Sequence, residues 1–448
     1  MKKMKDLVLV SVDDHVVEPA DMFTRHLSAQ CLAAAPHVAV NPDGRAVWLF
    51  EDRPVSTIGR HAAVGRPHEQ WGLTPSGFSD LREGTYNASR RIDDMNANGI
   101  LGSVDFPSFP GFAGQAFWQA RDRTNAARVV RAYNDWHIDE WCASAPGRFI
   151  PNAILPLWDI DLTLAEVQRV LDKGCRSICF PDNPAAYGLP AIHDDLWQPL
   201  WQLCNDAGVV LNCHLDSERQ TPHASPASPI DAWLTAAPFG VVNSAADWLS
   251  ASFWFYYPQL KVVLTSSGIG WLPYFLERAD QVFRQHSAWT RANYGGLLPS
   301  EVFRRHFMIS LVDDPVGLAH CDRLGTDSIL WAADYPHADC NWPNTPETLW
   351  ESLNTLAEDD IRKITHENAM RLWHYNPFAT LAPQDCTVAA LRRQSRHVDI
   401  TPVAIQRHSE DRLMQRRVTS GDVLSAAGGL AASTPAMHHG REASKNQS

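Results

Sequence analysis

The stretch VSVDDHVVEP, residues 10–19, ends an apolar run from Leu7 to Val12 with three carboxylates and an imidazole. An apolar run of that length reads as a buried strand, and burying Asp13, Asp14, His15 and Glu18 at its end demands a compensating partner, either solvent or a cation. Asp13 and His15 are two residues apart, so in an extended segment their side chains share a face while Asp14 points the other way. Two further residues of metal-ligating type end apolar runs far along the chain: His214 in NCHLDS and Asp334 in WAADYPH. Two carboxylates and two imidazoles that leave a coordination position open suit Zn²⁺ or another borderline divalent ion such as Mn²⁺ or Fe²⁺. Taken singly, an aspartate at a strand end is more often a turn former or helix cap, and a histidine in an apolar run more often a core residue. Taken jointly, the four read as a metal site. Asp14 is read as a turn or supporting residue, and Glu18 stays open between backing His15 and capping the loop before Pro19. His337, three residues beyond Asp334, is a candidate for the pocket wall.

Such residues converge only if the strands that carry them end at one mouth. Eight strand-length apolar runs are found: the opening one, then ILGSVDFPSF, FIPNAILPL, CRSICFPDN, VVLNCHLDS, LKVVLTSSG, HFMISLVDD and SILWAADYP. Helix-periodic segments such as DLTLAEVQRVLDKG and WLPYFLERADQVFRQHS separate them. Strands apolar on both faces and joined by helical crossovers imply parallel pairing, and eight such units point to a distorted (β/α)₈ (TIM) barrel over residues 1–376. An open doubly wound sheet is the alternative. Residues 22–84 break the alternation and read as an insertion after the first strand, a hairpin followed by a loop-rich excursion on the C-terminal face of the barrel. Residues 377–448 end in small polar residues and are expected to form a flexible, largely disordered tail.

The formal net charge of −12, without a basic block in the main body, argues against nucleic acid or an anionic membrane as the partner and favours a small molecule. Nine scattered cysteines suit reduced thiols in the cytoplasm, and Cys175 and Cys179 lack the second pair that a structural zinc site needs. The basic head and apolar residues of MKKMKDLVLVSVDD imitate a signal peptide, but the apolar run is too short. No stretch approaches the roughly 20 apolar residues that span a bilayer.

The motifs SVDDHVVEP, NCHLDS, SSGIGWLPYFLERAD, WAADYPH and ITHENAMRLW, with RRIDDMNANGI at 90–100, resemble the amidohydrolase-related superfamily. The branch is the one that includes aminocarboxymuconate-semialdehyde decarboxylase and the resorcylate-type decarboxylases. The resemblance spans residues 7–376 and implies a barrel around one divalent metal. The first-strand ligand pair of relatives maps onto Asp13 and His15, the fifth-strand histidine onto His214 and the eighth-strand aspartate onto Asp334. Where relatives keep a histidine or glutamate at the end of the sixth strand, Ser266 stands here.

The leading functional reading is non-oxidative decarboxylation of an aromatic or unsaturated carboxylic acid, with Asp334 and His214 as the catalytic residues and Asp334 carrying the proton. Metal-dependent hydrolysis of an ester, lactone or amide is the second, and a non-catalytic barrel with a degraded site, suggested by Ser266, is the third. Phe106, Trp271, Tyr335 and His337 are the expected substrate contacts. The resemblance also implies a homo-oligomer, and the 22–84 insertion offers surface for a dimer contact.

Overall fold

The computed structural model describes residues 3–215, 224–405 and 417–422. Eight strands run parallel: β1 (Val10–Val16), then, beyond the three strands of the insertion, β5 (Gly102–Pro107), β6 (Phe149–Ile150), β7 (Ser177–Cys179), β8 (Val210–His214), β9 (Lys261–Thr265), β10 (Phe307–Leu311) and β11 (Ile329–Trp331). They form two parallel sheets, β1-β5-β6 and β11-β10-β9-β8-β7. A parallel bridge between Ala153 and Ile178 connects β6 to β7. On the far side the Asp334 amide donates to the Asp13 carbonyl (2.9 Å) and the His15 amide to the Tyr335 carbonyl (2.6 Å), joining the end of β11 to β1. Strand neighbours follow chain order throughout, without the reversal that marks a doubly wound sheet, so the architecture is a distorted (β/α)₈ barrel.

The crossover helices start and stop where their sequences dictate. The helix Ala88–Asn98 begins at Asn87, whose side chain accepts the Ser89 and Arg90 amides, and stops at Gly99 in the left-handed region (φ 74°). Asp159 caps the helix Ile160–Asp172 by accepting the Leu162 amide.

The insertion is more ordered than a hairpin with loops. It holds a three-stranded antiparallel sheet of β2 (His37–Val40), β3 (Ala46–Phe50) and β4 (Arg53–Thr57). Trp48 of β3 stacks on Phe109 in the loop after β5, with ring centroids 4.3 Å apart, so the apolar face of this sheet joins the barrel core. The Ala63 and Val64 amides donate to the Pro336 carbonyl (2.8 and 3.1 Å), which seats the insertion beside the end of the last strand.

The segment after residue 376 departs from the expected flexible tail over its described part. The helix Val388–Gln394 packs against Ala88–Asn98, the Val388 amide donates to the Leu7 carbonyl (2.9 Å), and Cys386 and Leu391 enclose Leu101. Farther on, the Val403 amide bonds the Gly65 carbonyl (2.8 Å) and the Ile405 amide bonds Gln70 (2.8 Å). A few apolar residues at helical spacing are enough to dock the segment, which its overall polar composition hides. Residues 406–416 and 423–448, including the HH pair, lie outside the described residues. Leu391→Ala is therefore expected to lower stability by about 2–5 kcal/mol in urea unfolding; a neutral effect would mean that this helix does not dock.

Candidate metal centre

Strand alternation turns Asp13 and His15 into the mouth of the barrel, and both are fully buried. His214 at the end of β8 and Asp334 just beyond β11 meet them there. The His15 Nε2 atom lies 3.2 Å from Asp334 Oδ1 and 3.8 Å from Asp13 Oδ1, and His214 Nε2 lies 3.4 Å from Asp13 Oδ1. Ligand atoms of Asp13, His15 and His214 all fall within 4.8 Å of one another, as do those of His15, Asp334 and His337. Asp334 holds a left-handed backbone (φ 57°), unusual for a residue other than glycine, fixed on both sides by its own amide bond to Asp13 and by the His337 amide, which donates to the Asp334 carbonyl (2.8 Å).

The donor set fits a divalent cation on two independent grounds. No hydrogen bond of ordinary geometry reaches either oxygen of Asp13, either ring nitrogen of His15 or Nε2 of His214, although all are buried. Buried polar atoms are normally satisfied, so such a convergence calls for a ligand. In addition, His214 Nδ1 lies 2.8 Å from the Leu215 carbonyl, which fixes the proton on Nδ1 and leaves the Nε2 lone pair facing the cluster.

The electrostatics agree. Burial, followed by the negative charges of Asp334 and Asp14, pushes the Asp13 carboxyl well up. Burial keeps both imidazoles neutral: His15 is held well below its ordinary value and His214 is lowered to about 4. Burial would also raise Asp334, yet His337 and His15 hold it below the usual carboxylate range. Neutral imidazoles and crowded carboxylates together form an anionic, ligand-ready pocket.

Asp14 belongs to a different network. It accepts from the Ser11 hydroxyl (2.6 Å) and the Tyr335 amide (3.2 Å), and Arg91 stands 3.9 Å from it and 3.4 Å from Asp105. Arg91 also donates to the His15 carbonyl, so this buried ion cluster holds the ligand strand from behind.

The proposed substrate contacts divide. Phe106 borders both histidines, its ring 5.9 Å from His15 and 5.2 Å from His214. His337 bonds Asp334 through Nδ1 (3.0 Å) and lies 3.9 Å, ring to ring, from His15. Tyr335 is not in the pocket: its hydroxyl donates to Asp94 (2.6 Å) and Arg91 covers its ring at 4.3 Å. Trp271 is not brought to the cluster either. Its indole N–H bonds the Gly268 carbonyl (3.1 Å), which turns the ring onto Phe275 of its own helix. Ser266 sits at the end of β9 in a left-handed conformation (φ 60°) and donates its amide to Ser310 (3.3 Å).

One residue was missed. Phe112 lies 4.0 Å from the His214 ring and 5.0 Å from the His15 ring, closing the pocket. Its signal was a glycine-flanked aromatic, FPGFAG, just past a strand end. Glu18 holds this loop by accepting the Ser108 and Phe109 amides (2.9 and 3.0 Å), which settles the role left open for it.

A family model described as "Amidohydrolase" matches residues 88–375. The chain belongs to the amidohydrolase family. The matched segment carries His214, Asp334 and His337, while Asp13, His15 and the insertion precede it. A gamma-resorcylate decarboxylase from Rhizobium radiobacter is 25% identical over 308 residues, covering 63% of this chain and 86% of the relative. Two solved structures share the amidohydrolase fold. One is an amidohydrolase from Mycobacterium avium subsp. paratuberculosis (TM-score 0.63, 22% identity, 82% of this chain and 99% of that one). The other is a dihydroxybenzoic acid decarboxylase from Polaromonas sp. JS666 with bound manganese and the inhibitor 2-nitroresorcinol (TM-score 0.54, 18% identity, 84% and 98%).

Two outcomes follow from this geometry. Elemental analysis of the purified amidohydrolase should find about one divalent ion per chain, lost in His214→Ala; unchanged metal content in that variant would remove His214 from the ligand set. The second concerns Glu18, whose carboxyl burial pushes up from 4.5 to about 7 despite its two amide donors. Over that window the folded chain binds a proton that the unfolded chain has released, so stability falls as pH rises. Glu18→Gln keeps an acceptor and has no proton to lose. Thermal unfolding followed by circular dichroism should show a flatter decline in the variant than in the wild type, and parallel declines would contradict the assignment.

Proposed function

We propose that this amidohydrolase is a divalent-metal-dependent decarboxylase of an aromatic carboxylic acid, holding Zn²⁺, Mn²⁺ or Fe²⁺ on Asp13, His15, His214 and Asp334. The observation that carries the reading is the buried, unsatisfied donor cluster walled by the rings of Phe106 and Phe112. That combination suits a planar, anionic ligand: the donors accept a cation that can hold a carboxylate, and the rings face an aromatic plane. The name of the Rhizobium relative and the manganese and resorcinol in the Polaromonas structure support the same chemistry.

A cation bound there supplies Lewis-acid polarisation and an electrostatic clamp for the carboxylate and a neighbouring oxygen. The residues of the chain do the rest. Phe106 and Phe112 hold the ring and exclude water. As the bond to CO₂ breaks, its electron pair stays on the ring carbon, which then takes a proton. Asp334, ionised at rest, is placed to relay it: its Oδ1 lies 3.0 Å from His337 Nδ1, so a proton given up by His337 passes through Asp334 to the ring carbon and His337 is reprotonated from the outer wall. In this scheme Ser266 has no proton to move, since the Asp334–His337 pair takes that part.

Among the described residues no helix is long and apolar enough to cross a membrane, and no disulfide is formed. These features accord with a cytoplasmic enzyme. We further propose a homodimer that uses the insertion.

The test is product analysis of the metal-loaded enzyme with 2,6-dihydroxybenzoate and 5-carboxyvanillate. Release of CO₂, with kcat reduced about 10²–10⁴-fold in Asp334→Asn, is expected. Incorporation of ¹⁸O from water into the products of an ester or lactone panel, without CO₂ release, would replace this reading with hydrolysis.

A further inference from the structure

At the end of the barrel opposite the metal ligands, where β7 to β10 begin, lies a cleft of about 1210 Å³. Arg176, Lys261, Arg304, Arg305 and Arg371 line it. Among the described residues none of these five forms an ion pair with a carboxylate. That is unusual in a chain whose formal net charge is −12. Three acids share the lining, so cations outnumber carboxylates there five to three, and among the described residues Asp327 alone of the three is paired with a cation from outside the lining. Asp206 accepts from Gln202 and Asn205, Glu301 accepts the Leu298 amide (2.7 Å), and Asp327 pairs with Lys363 (2.9 Å).

The hydrogen bonds these cations make go mostly to neutral carbonyls, which order the side chains without cancelling charge. Arg176 donates to the Ala207 carbonyl and Lys261 to that of Arg305. Arg304 reaches the Leu324 and Arg323 carbonyls (3.3 and 3.2 Å), and Arg371 the Asp327 carbonyl (3.0 Å) and the Asn368 amide oxygen (2.8 Å). Burial first, and then the facing Arg371 and Arg305, push the Lys261 ammonium below its ordinary value. Complementing a helix C-terminus explains Arg304 and Arg305, which stand in the last turn of Pro299–His306. Lys261 and Arg176 also donate to carbonyls at helix ends, that of Arg305 in the last turn of Pro299–His306 and that of Ala207 at the end of Gln198–Ala207. They do so from the starts of strands, so cations from separate elements converge on one cleft.

We infer that this cleft binds a small, multiply charged oxyanion, far from the metal centre and independent of it. Guanidinium forks already held by carbonyls lose little freedom on meeting such an anion, and they match phosphate and carboxylate oxygens bidentately. In barrels of this type the strand N-termini serve stability rather than chemistry, so the anion acts as a stabilising or effector ligand.

Isothermal titration of the metal-loaded full chain at constant ionic strength tests this, with inorganic pyrophosphate and citrate as separate probes. Saturable binding is expected, weakened roughly tenfold or more in Arg305→Glu, a substitution at an exposed side chain that leaves far-UV circular dichroism unchanged. Preference for pyrophosphate assigns a phosphoryl ligand, and preference for citrate a polycarboxylate. Arg371→Gln keeps a donor for the Asp327 carbonyl and should also weaken binding. Extraction of metal by either anion would affect wild type and variants alike, so equal titrations overturn the proposal. So does an absence of saturable binding to the wild type, or binding of a single-stranded RNA oligonucleotide without binding of either probe.

Discussion

The candidate centre depends on one seam. The amide of Asp334 bonds the carbonyl of Asp13, and the amide of His15 bonds the carbonyl of Tyr335, so the end of the last strand is held against the end of the first. Those two bonds bring together residues more than three hundred positions apart and place a carboxylate from each side within reach of one imidazole. A shift of one residue in that pairing would turn Asp14 into the mouth and Asp13 out of it. The left-handed backbone of Asp334 is the local cost of making the turn there, about 1–3 kcal/mol by general experience.

Charge on the back of β1 stabilises the same seam. Arg91 is fully buried among Asp14, Asp105 and the His15 carbonyl, and Asp105 is further bound by the Trp141 indole (2.6 Å) and the Ser103 hydroxyl (2.8 Å). A buried ion cluster of this kind adds little net stability, but losing one partner leaves the others uncompensated. Its contribution here is positional: it fixes the strand whose opposite face carries the ligands. Glu18 does the same for the loop that presents Phe112.

Much of this was legible in the sequence, because its two strongest signals are local. Apolar runs of strand length separated by helical segments identified all eight barrel strands, and strand alternation separated Asp13 and His15 from Asp14. What was hidden depends on partners distant in the chain. Tyr335 follows a ligand in sequence, yet Asp94, more than two hundred positions away, takes its hydroxyl. Trp271 was placed in the pocket for its aromatic character and is turned aside by carbonyls of its own turn. The docking of Val388–Gln394 rests on a patch around Leu101 that composition alone does not reveal. Phe112 was overlooked because loop residues have no periodicity to show which way they face.

The central claim is that four side chains from β1, β8 and the turn after β11 share one ion. X-ray absorption spectroscopy of the zinc- or manganese-loaded protein tests it most directly. The account predicts a first coordination shell of nitrogen and oxygen only, with two imidazoles at about 2.0–2.2 Å for zinc, reduced to one imidazole in His214→Ala. A shell containing sulfur, or one unchanged by that substitution, would place the metal elsewhere and contradict the account.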